Sequence, residues 1–476
     1  MTQINPYNFV PLKSGPDRFE YPGRLKFHED RYNGMLKCTL KALGPLISID
    51  QRNPRLYQLI GNNGKPLKFT SGAKRGDLCK VDCFKFLRNS RGQIFLQGTS
   101  LKGMVRSVYE AITNSCLKLA STIGYNDVGG HKNTECNDLH NLCSACRLFG
   151  TIDGDKLHCQ GRVVFIDAFL VEGNLTPEPP ISNRSPSGKP FHFLKVLSSP
   201  QSRHHSTYGK NGQRNGPIAG RKFYYHHGKV PKFFVNEREA CRSIAIEEFA
   251  PLGTMFEFEV YVENLDKEEF ENFILALELH EGLGHKIGLG KAIGLGSCCI
   301  TVDRDQSTIT KGSGRYQDWN FMKDTTWYSL KKDKEELPYA LIEVLRLNKE
   351  DDDGVIGYPT NFMNYPNQPI DARGVFSEDT KADEQVPQPN TANTGERLRC
   401  PIAVATEPPK EPAPKVGQDQ EAAWLKEIYD NELVFVDTQD KEIVRPRQAC
   451  QGKKKLQEVG KWFVLWGTTA SRRVLY

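Results

Sequence analysis

An α+β fold built on an antiparallel sheet is what this chain predicts, and three segments predict it. Met255–Val262 alternates apolar and polar residues without a break, as a strand with one buried face should. Ser107–Ile123 places Val108, Ala111, Ile112 and Leu119 at helical spacing, which predicts a long helix. Just before it, Phe84–Leu87 and Gln93–Leu96 flank Asn89-Ser-Arg-Gly92, the composition of a hairpin turn.

Taken in order, residues 1–30 are polar and proline-containing and predict an extended N-terminal arm. Residues 31–43 alternate from Met35 onward and predict the first half-buried strand. After the hairpin and helix, Gly161–Leu170 is strand-like and Met255–Val262 is a strand. Lys267–Glu281 is helical, and Lys291–Val302 runs through glycines into a last strand. That order fits a ferredoxin-like or RRM-like core over residues 31–305. Residues 306–365, with a short helix at Tyr339–Arg346, are expected to form a peripheral subdomain. Residues 366–420, rich in Pro, Asp, Glu, Thr and Asn, predict a disordered linker, and residues 421–476 a C-terminal extension.

Composition narrows the class. The 476 residues are 38% hydrophobic and 26% charged, which describes a globular chain long enough for two or three cores. No apolar run approaches the roughly 20 residues of a membrane span, and Met1-Thr-Gln-Ile-Asn-Pro6 lacks the charged and apolar regions of a signal peptide. Thirteen cysteines, an odd number and scattered apart from one cluster, argue against a disulfide framework and for the cytoplasm.

The net charge of +6 is mild but unevenly spread. Residues 184–232 hold many Lys and Arg residues, Arg221 and Lys222 among them, and no Asp or Glu. Phe191, Phe193, Tyr208, Phe223, Tyr224 and Tyr225 are interleaved. Cations for phosphates and aromatic faces for unstacked bases are the composition of a single-strand nucleic-acid surface, here placed in a basic insertion over about residues 171–240.

Gly98-Thr-Ser-Leu-Lys-Gly-Met-Val-Arg-Ser107 predicts a loop turning into a helix. Gly98, Thr99 and Ser100 suit a cap, and Lys102 and Arg106, four apart, share a helix face. Exposed amides at such a helix start suit phosphate. A second glycine-rich stretch runs from Gly282 to Gly296 (Gly-Leu-Gly-His-Lys-Ile-Gly-Leu-Gly-Lys-Ala-Ile-Gly-Leu-Gly). No strand is predicted before it and no Gly-Lys-Ser/Thr follows, so a P-loop or dinucleotide site fails its context test. His131, Cys136, Cys143 and Cys146 form a third cluster, and four such ligands satisfy tetrahedral zinc in a closed, structural site. His140 and Cys159 compete for the fourth position.

The Gly98–Ser107 motif, the cysteine-rich insert closing on Cys-Arg-Leu-Phe-Gly150 and the Gly282–Gly296 loop, in that order, resemble the RAMP superfamily of CRISPR-associated proteins. The nearest resemblance is to the repeated backbone subunit of type III effector complexes, with an extension suited to a type III-D-like assembly. It implies a zinc knuckle at about 131–159 and a basic thumb-like insertion. It also implies a guide-RNA (crRNA) grip by Gly98, Thr99, Ser100, Lys102, Gly103 and Arg106, joined by Lys286, Gly288, Gly290 and Lys291. Implied partners are the crRNA, complementary single-stranded target RNA, related subunits and a large polymerase-like subunit. Such subunits cut target RNA with a loop aspartate upstream of the glycine motif, usually with Mg2+ or another divalent cation and the RNA's own 2′-hydroxyl as nucleophile. Asp82 falls at that register, with Asp77 and Asp50 as neighbours. The alternatives are a non-catalytic RNA-binding scaffold and a guide-processing ribonuclease using His28 or a histidine between residues 192 and 227.

Overall fold

The computed structural model describes residues 6–13, 15–52, 54–59, 65–68, 76–117, 136–153, 157–175, 192–195, 218–227, 243–312, 325–330, 337–347, 403–404, 420–428, 432–439, 442–446, 462–466 and 474–475. The N-terminal half comprises β1 (Tyr7–Val10), β2 (Tyr32–Ala42), β3 (Arg55–Gln58), β4 (Lys80–Phe84), β5 (Phe95–Leu96), α1 (Gly98–Ile112) and α2 (Ser144–Phe149). Then follow β6 (Gly150–Asp153), β7 (Leu157–Gln160), β8 (Val163–Phe165), β9 (Ala168–Glu172), β10 (His192–Lys195), β11 (Arg221–Tyr224) and β12 (Ser243–Ile246). The core closes with β13 (Met255–Leu265), α3 (Lys267–Glu278), β14 (His285–Lys286), β15 (Ser297–Lys311) and α4 (Tyr339–Leu345).

The central sheet is antiparallel, ordered β14-β15-β2-β13-β9-β5, with β8 also paired to β13. Alternation decides which face is buried. Leu36, Cys38 and Leu40 of β2 lie level with Val260, Phe258 and Phe256 of β13, and all six are buried. Helices α1 and α3 cover that face: Tyr109 meets Phe149 edge-on, and Phe165 and Phe149 both pack on Phe273. A capping box starts α3, since Asp266 accepts the Glu269 amide at 2.9 Å and Glu269 accepts the Asp266 amide at 3.2 Å.

Several expectations change. The predicted helix begins nine residues earlier, because Gly98–Ser107 is nearly its first three turns rather than a preceding loop. The arm is not free: β1 pairs with β11 from Tyr7↔Tyr224 to Val10↔Arg221, and all four residues of β1 are buried. The 306–365 segment is not peripheral where it is described. Trp327 is fully buried on Phe270 of α3, and Leu341, Val344 and Leu345 of α4 join the main core. The strand after the glycines extends to Lys311, across the boundary expected at 305.

A smaller sheet, β10-β12-β4-β3, flanks the core, with β12 and β4 parallel. The C-terminal region forms its own antiparallel sheet around Gln420–Ile428, and Lys426 reaches back to Glu172 at 2.7 Å. Nine of the described cysteines are free thiols and Cys79 is disulfide-bonded, which the sequence reading did not anticipate. Among the described residues no helix is long and apolar enough to cross a membrane. Residues 366–402 and 405–419 of the expected linker, and most of the basic insertion, lie outside the described residues.

Candidate nucleic-acid groove and cysteine centre

Three separate sequence features meet at one cavity of about 700 Å3. Helix α1 supplies Ser100, Gly103 and Ser107 and the preceding Gln97. The glycine loop supplies Lys286, Gly288 and Lys291, and β11 supplies Lys222 and Tyr224. Ser48–Arg52 closes the rim. The wall carries four cationic side chains (Arg52, Lys222, Lys286, Lys291) and one carboxylate, Asp50. That balance suits a polyanion.

The glycines serve the wall in different ways. A Cβ on Gly288 would lie 2.2 Å from the Ile47 carbonyl oxygen, which accepts the Leu289 amide at 3.0 Å. Its positive φ of 79° compounds the restriction, so this glycine lets the loop lie against the rim. Gly103, by contrast, faces open space, with nothing within 4 Å of where a Cβ would be. Lys286 donates to the Leu295 carbonyl at 3.2 Å and so braces the loop it belongs to. The Lys222 ammonium stands 3.8 Å from the centre of the Tyr7 ring and 5.0 Å from that of Tyr224. Burial pushes its pKa down to about 8 and also lowers that of Lys291.

The other expected grip residues are used elsewhere. Gly98 is small because a Cβ would sit 2.3 Å from the Phe165 carbonyl oxygen, and its amide donates to Asp167 at 2.7 Å. That carboxylate occupies the helix start where a phosphate was expected. No side-chain cap comes from Thr99 or Ser100; the N-cap position is Gln97. Lys102 and Arg106 do share a face, but it is the face turned from the cavity. The lining positions 100, 103, 104 and 107 follow the other stripe of the helix. Arg106 donates to Glu110 (2.7 Å), to the Gly150 carbonyl (2.9 Å) and toward Cys146 Sγ (3.8 Å). Arg221 is buried, bonded to Glu110 at 2.9 Å. Gly290 takes the left-handed backbone that starts a 3-10 turn and does not line the cavity.

Asp82 lies in the middle of β4, opposite Leu56 of β3, exposed and away from the cavity lining. A strand, not a loop, holds it. The carboxylate at the groove is Asp50, whose Oδ1 accepts the Arg52 amide at 3.1 Å. Asp77 does not line the cavity either. Two of the candidate histidines are tied into the fold, and His204 and His205 lie outside the described residues. His28 Nε2 bonds the Pro22 carbonyl, and His226 bonds Ser297 Oγ at 2.9 Å and the Gly284 carbonyl at 3.0 Å.

Behind α1 lies the cysteine centre. Cys116, Cys136, Cys143 and Cys146 are buried, with all four sulfurs within 4.8 Å of one another. Cys116–Cys146 and Cys116–Cys136 separations are 3.6 and 3.9 Å. Tetrahedral zinc with sulfur at about 2.3 Å sets its ligands about 3.8 Å apart, so the donors fit that ion. Cys116, just beyond the end of α1, supplies the fourth sulfur that sequence spacing assigned to a histidine. His131 lies outside the described residues. His140 is exposed and bonded to Glu20, and Cys159 is not within the cluster. Amides of Cys143 and Cys146 donate to Cys136 and Cys143 Sγ at 3.1 and 3.4 Å, and Arg18 donates to Cys136 Sγ at 3.1 Å. Hydrogen bonds among the four thiols, Cys116 foremost, lower the pKa of Cys136 to about 7 and that of Cys143 further, while those of Cys116 and Cys146 are raised, so the set shares its protons unevenly until a metal displaces them.

Comparison with known proteins gives a match over part of the chain. Residues 85–299 match the RAMP superfamily. Among solved structures, a chain of a type IV-B CRISPR complex is 18% identical, covering 56% of this chain and 90% of that one, with a TM-score of 0.26. Csc2 of Thermofilum pendens is 13% identical, covering 59% of this chain and 67% of that one, also with a TM-score of 0.26. No curated protein matches.

Proposed function

Given that residues 85–299 match the RAMP superfamily, we propose that the chain is a guide-RNA-binding backbone subunit of a type III CRISPR ribonucleoprotein. Its partners are crRNA, complementary target RNA, related subunits and a large polymerase-like subunit, assembled in the cytoplasm. The observation that carries this reading is the convergence of helix α1, the glycine loop and β11 on one cationic groove. Small polar side chains on α1 let a sugar-phosphate backbone approach, lysines neutralise it, and Tyr224 offers a face for an unstacked base. The core supports the same reading. Strand order β15-β2-β13-β9, with α1 and α3 on one face, is compatible with a ferredoxin-like or RRM-like sheet.

The cysteine centre acts as a structural zinc knuckle. Zinc, when bound, crosslinks the end of α1 to α2, and closed four-sulfur coordination leaves no position for substrate. Arg18 and Arg106 offset the negative charge of the thiolates.

Fluorescence anisotropy with labelled single-stranded RNA tests the reading. Micromolar or tighter binding is expected, weakening steeply with salt. Equal affinity for Lys222→Ala, Lys286→Ala and the unmodified chain overturns the groove assignment.

A second reading is target-RNA cleavage, and Asp50 in the groove wall favours it. One carboxylate is the least that Mg2+ takes from a protein when phosphate oxygens complete its shell. Asp50 stands next to the path of the backbone, whereas Asp82 is carried on the flanking sheet. Cleavage by the guide-loaded assembly, with Mg2+ and then EDTA, separates the two carboxylates. Loss of one cut in Asp50→Ala, with binding intact, assigns the chemistry to the groove. Loss in Asp82→Ala alone assigns it to β4. Survival of every cut leaves a scaffold.

A further inference from the structure

We propose that the cysteine centre and the groove are thermodynamically coupled through Glu110, so that metal held by the four sulfurs strengthens nucleic-acid binding at a wall none of them touches. The inference rests on the groove being a nucleic-acid site. Its basis is a continuous set of bonds on the rear of α1.

Glu110 uses both carboxylate oxygens as a bridge. Oε1 accepts from Arg106 at 2.7 Å, and Arg106 also reaches Gly150 and Cys146 Sγ. Oε2 accepts from Arg221 at 2.9 Å. Arg221 in turn donates to the carbonyls of Ser115 and Cys116, the latter at 3.1 Å. Both ends of this set are therefore fixed to metal-site residues, Cys146 at one end and Cys116 at the other. Cys116 and Cys146 are also the two sulfurs 3.6 Å apart. Their spacing sets the distance between the two arginine anchors.

The output lies one residue along β11. Strand alternation turns Arg221 toward the cysteine centre, where its side chain is 6% exposed, and leaves Lys222 half-buried at the cavity. An arginine so buried depends on its carboxylate partner, and losing that partner displaces it. A shift of Arg221 carries Lys222 and Tyr224 with it, because the strand is only four residues long and, among the described strands, pairs with β1 alone. The front of α1 responds as well, since Ser107 and Gly103 share the helix with Arg106 and Glu110.

Linkage then makes the effect reciprocal. If metal raises nucleic-acid affinity by some factor, nucleic acid must raise metal affinity by the same factor. That reciprocity supplies a test that needs no catalytic assay. Zinc affinity of the full chain is measured by competition with a chromogenic chelator, with and without saturating oligouridine RNA. Bound RNA should tighten zinc by about fivefold or more. Glu110→Gln keeps the four cysteines and should still bind zinc at full stoichiometry, but RNA should no longer change that affinity. Its loss of RNA affinity should vanish in a Lys222→Ala background, which a merely structural role for Glu110 would not produce. Lys222→Ala alone, a change on the groove side that leaves the buried bridge intact, should also reduce the coupling and serves if Glu110→Gln does not fold.

Equal zinc affinity with and without bound RNA in the unmodified chain overturns the proposal, and so does coupling that survives Glu110→Gln. If the zinc-loaded chain binds no RNA at all, the groove assignment fails first and the coupling falls with it.

Discussion

Helix α1 has two faces, and their chemistry is the reverse of what charge alone suggests. The face turned to the cavity carries Ser100, Gly103 and Ser107, without a charge among them. The opposite face carries Lys102 and Arg106, with Glu110 between the two faces, and Arg106 and Glu110 are bonded within the protein. A polyanion's partner here is assembled from other segments, with the helix providing closeness rather than charge. Small residues let the backbone of a ligand come near, while the long cations of the same motif hold the fold together.

The largest test of that division is the centre behind the helix. Cys143→Ser, or removal of metal by a strong chelator, should lower stability by about 4 kcal/mol or more, read as a fall in thermal midpoint. Unchanged melting with metal stripped would remove the cysteine centre from the structural side of the comparison.

The two glycines of the motif give the next contrast. Gly98→Ala forces a Cβ against the Phe165 backbone and should destabilise by about 2–3 kcal/mol, measured by denaturant unfolding. Gly103→Ala meets nothing and should stabilise the helix by about 0.5–1 kcal/mol while weakening RNA binding, because the added methyl projects toward the ligand. Equal effects at the two positions would erase the distinction between the faces.

Salt dependence separates the cations. Lys222→Ala should flatten the slope of log affinity against log salt by about 1, whereas Lys102→Ala should leave the slope as it is.

The smallest effect is one of pH. Lys222 titrates at about 8 in the folded chain, below the ~10.4 of an unfolded lysine. The unfolded state binds the extra proton between those values, so the stability penalty is complete below pH 8 and fades as pH rises toward 10.4. RNA binding runs the other way, losing about fivefold from pH 7 to 9 as the ammonium discharges. Lys222→Ala should show no such loss.

Much of the core was legible because alternation and helical spacing report one-sided burial directly. The alternation of Met255–Val262 predicts a strand, and it lies in β13; the spacing of Lys267–Glu281 predicts a helix, and it contains α3. Of the residues expected to meet a ligand, Ser100, Gly103, Lys286, Gly288 and Lys291 line the cavity and Gly290 does not. The sequence misplaces Arg221 because it shows that a residue is charged but not which carboxylate waits 111 residues away, and Arg106 because its further partners, Gly150 and Cys146, are 44 and 40 residues on. Cys116 was missed for the same reason. It stands twenty residues before Cys136, outside any short spacing motif, and only the end of α1 brings its sulfur to the others.

What the sequence determined alone is local: periodicity, the close backbone approach that glycine permits, the soft ligands of Cys-x-x-Cys and the excess of cation over acid. What tertiary structure decided is pairing. Whether a cation faces solvent, a phosphate or a buried carboxylate depends on which distant segment packs beside it. In a low-dielectric interior that choice, more than the residue's own chemistry, sets its role.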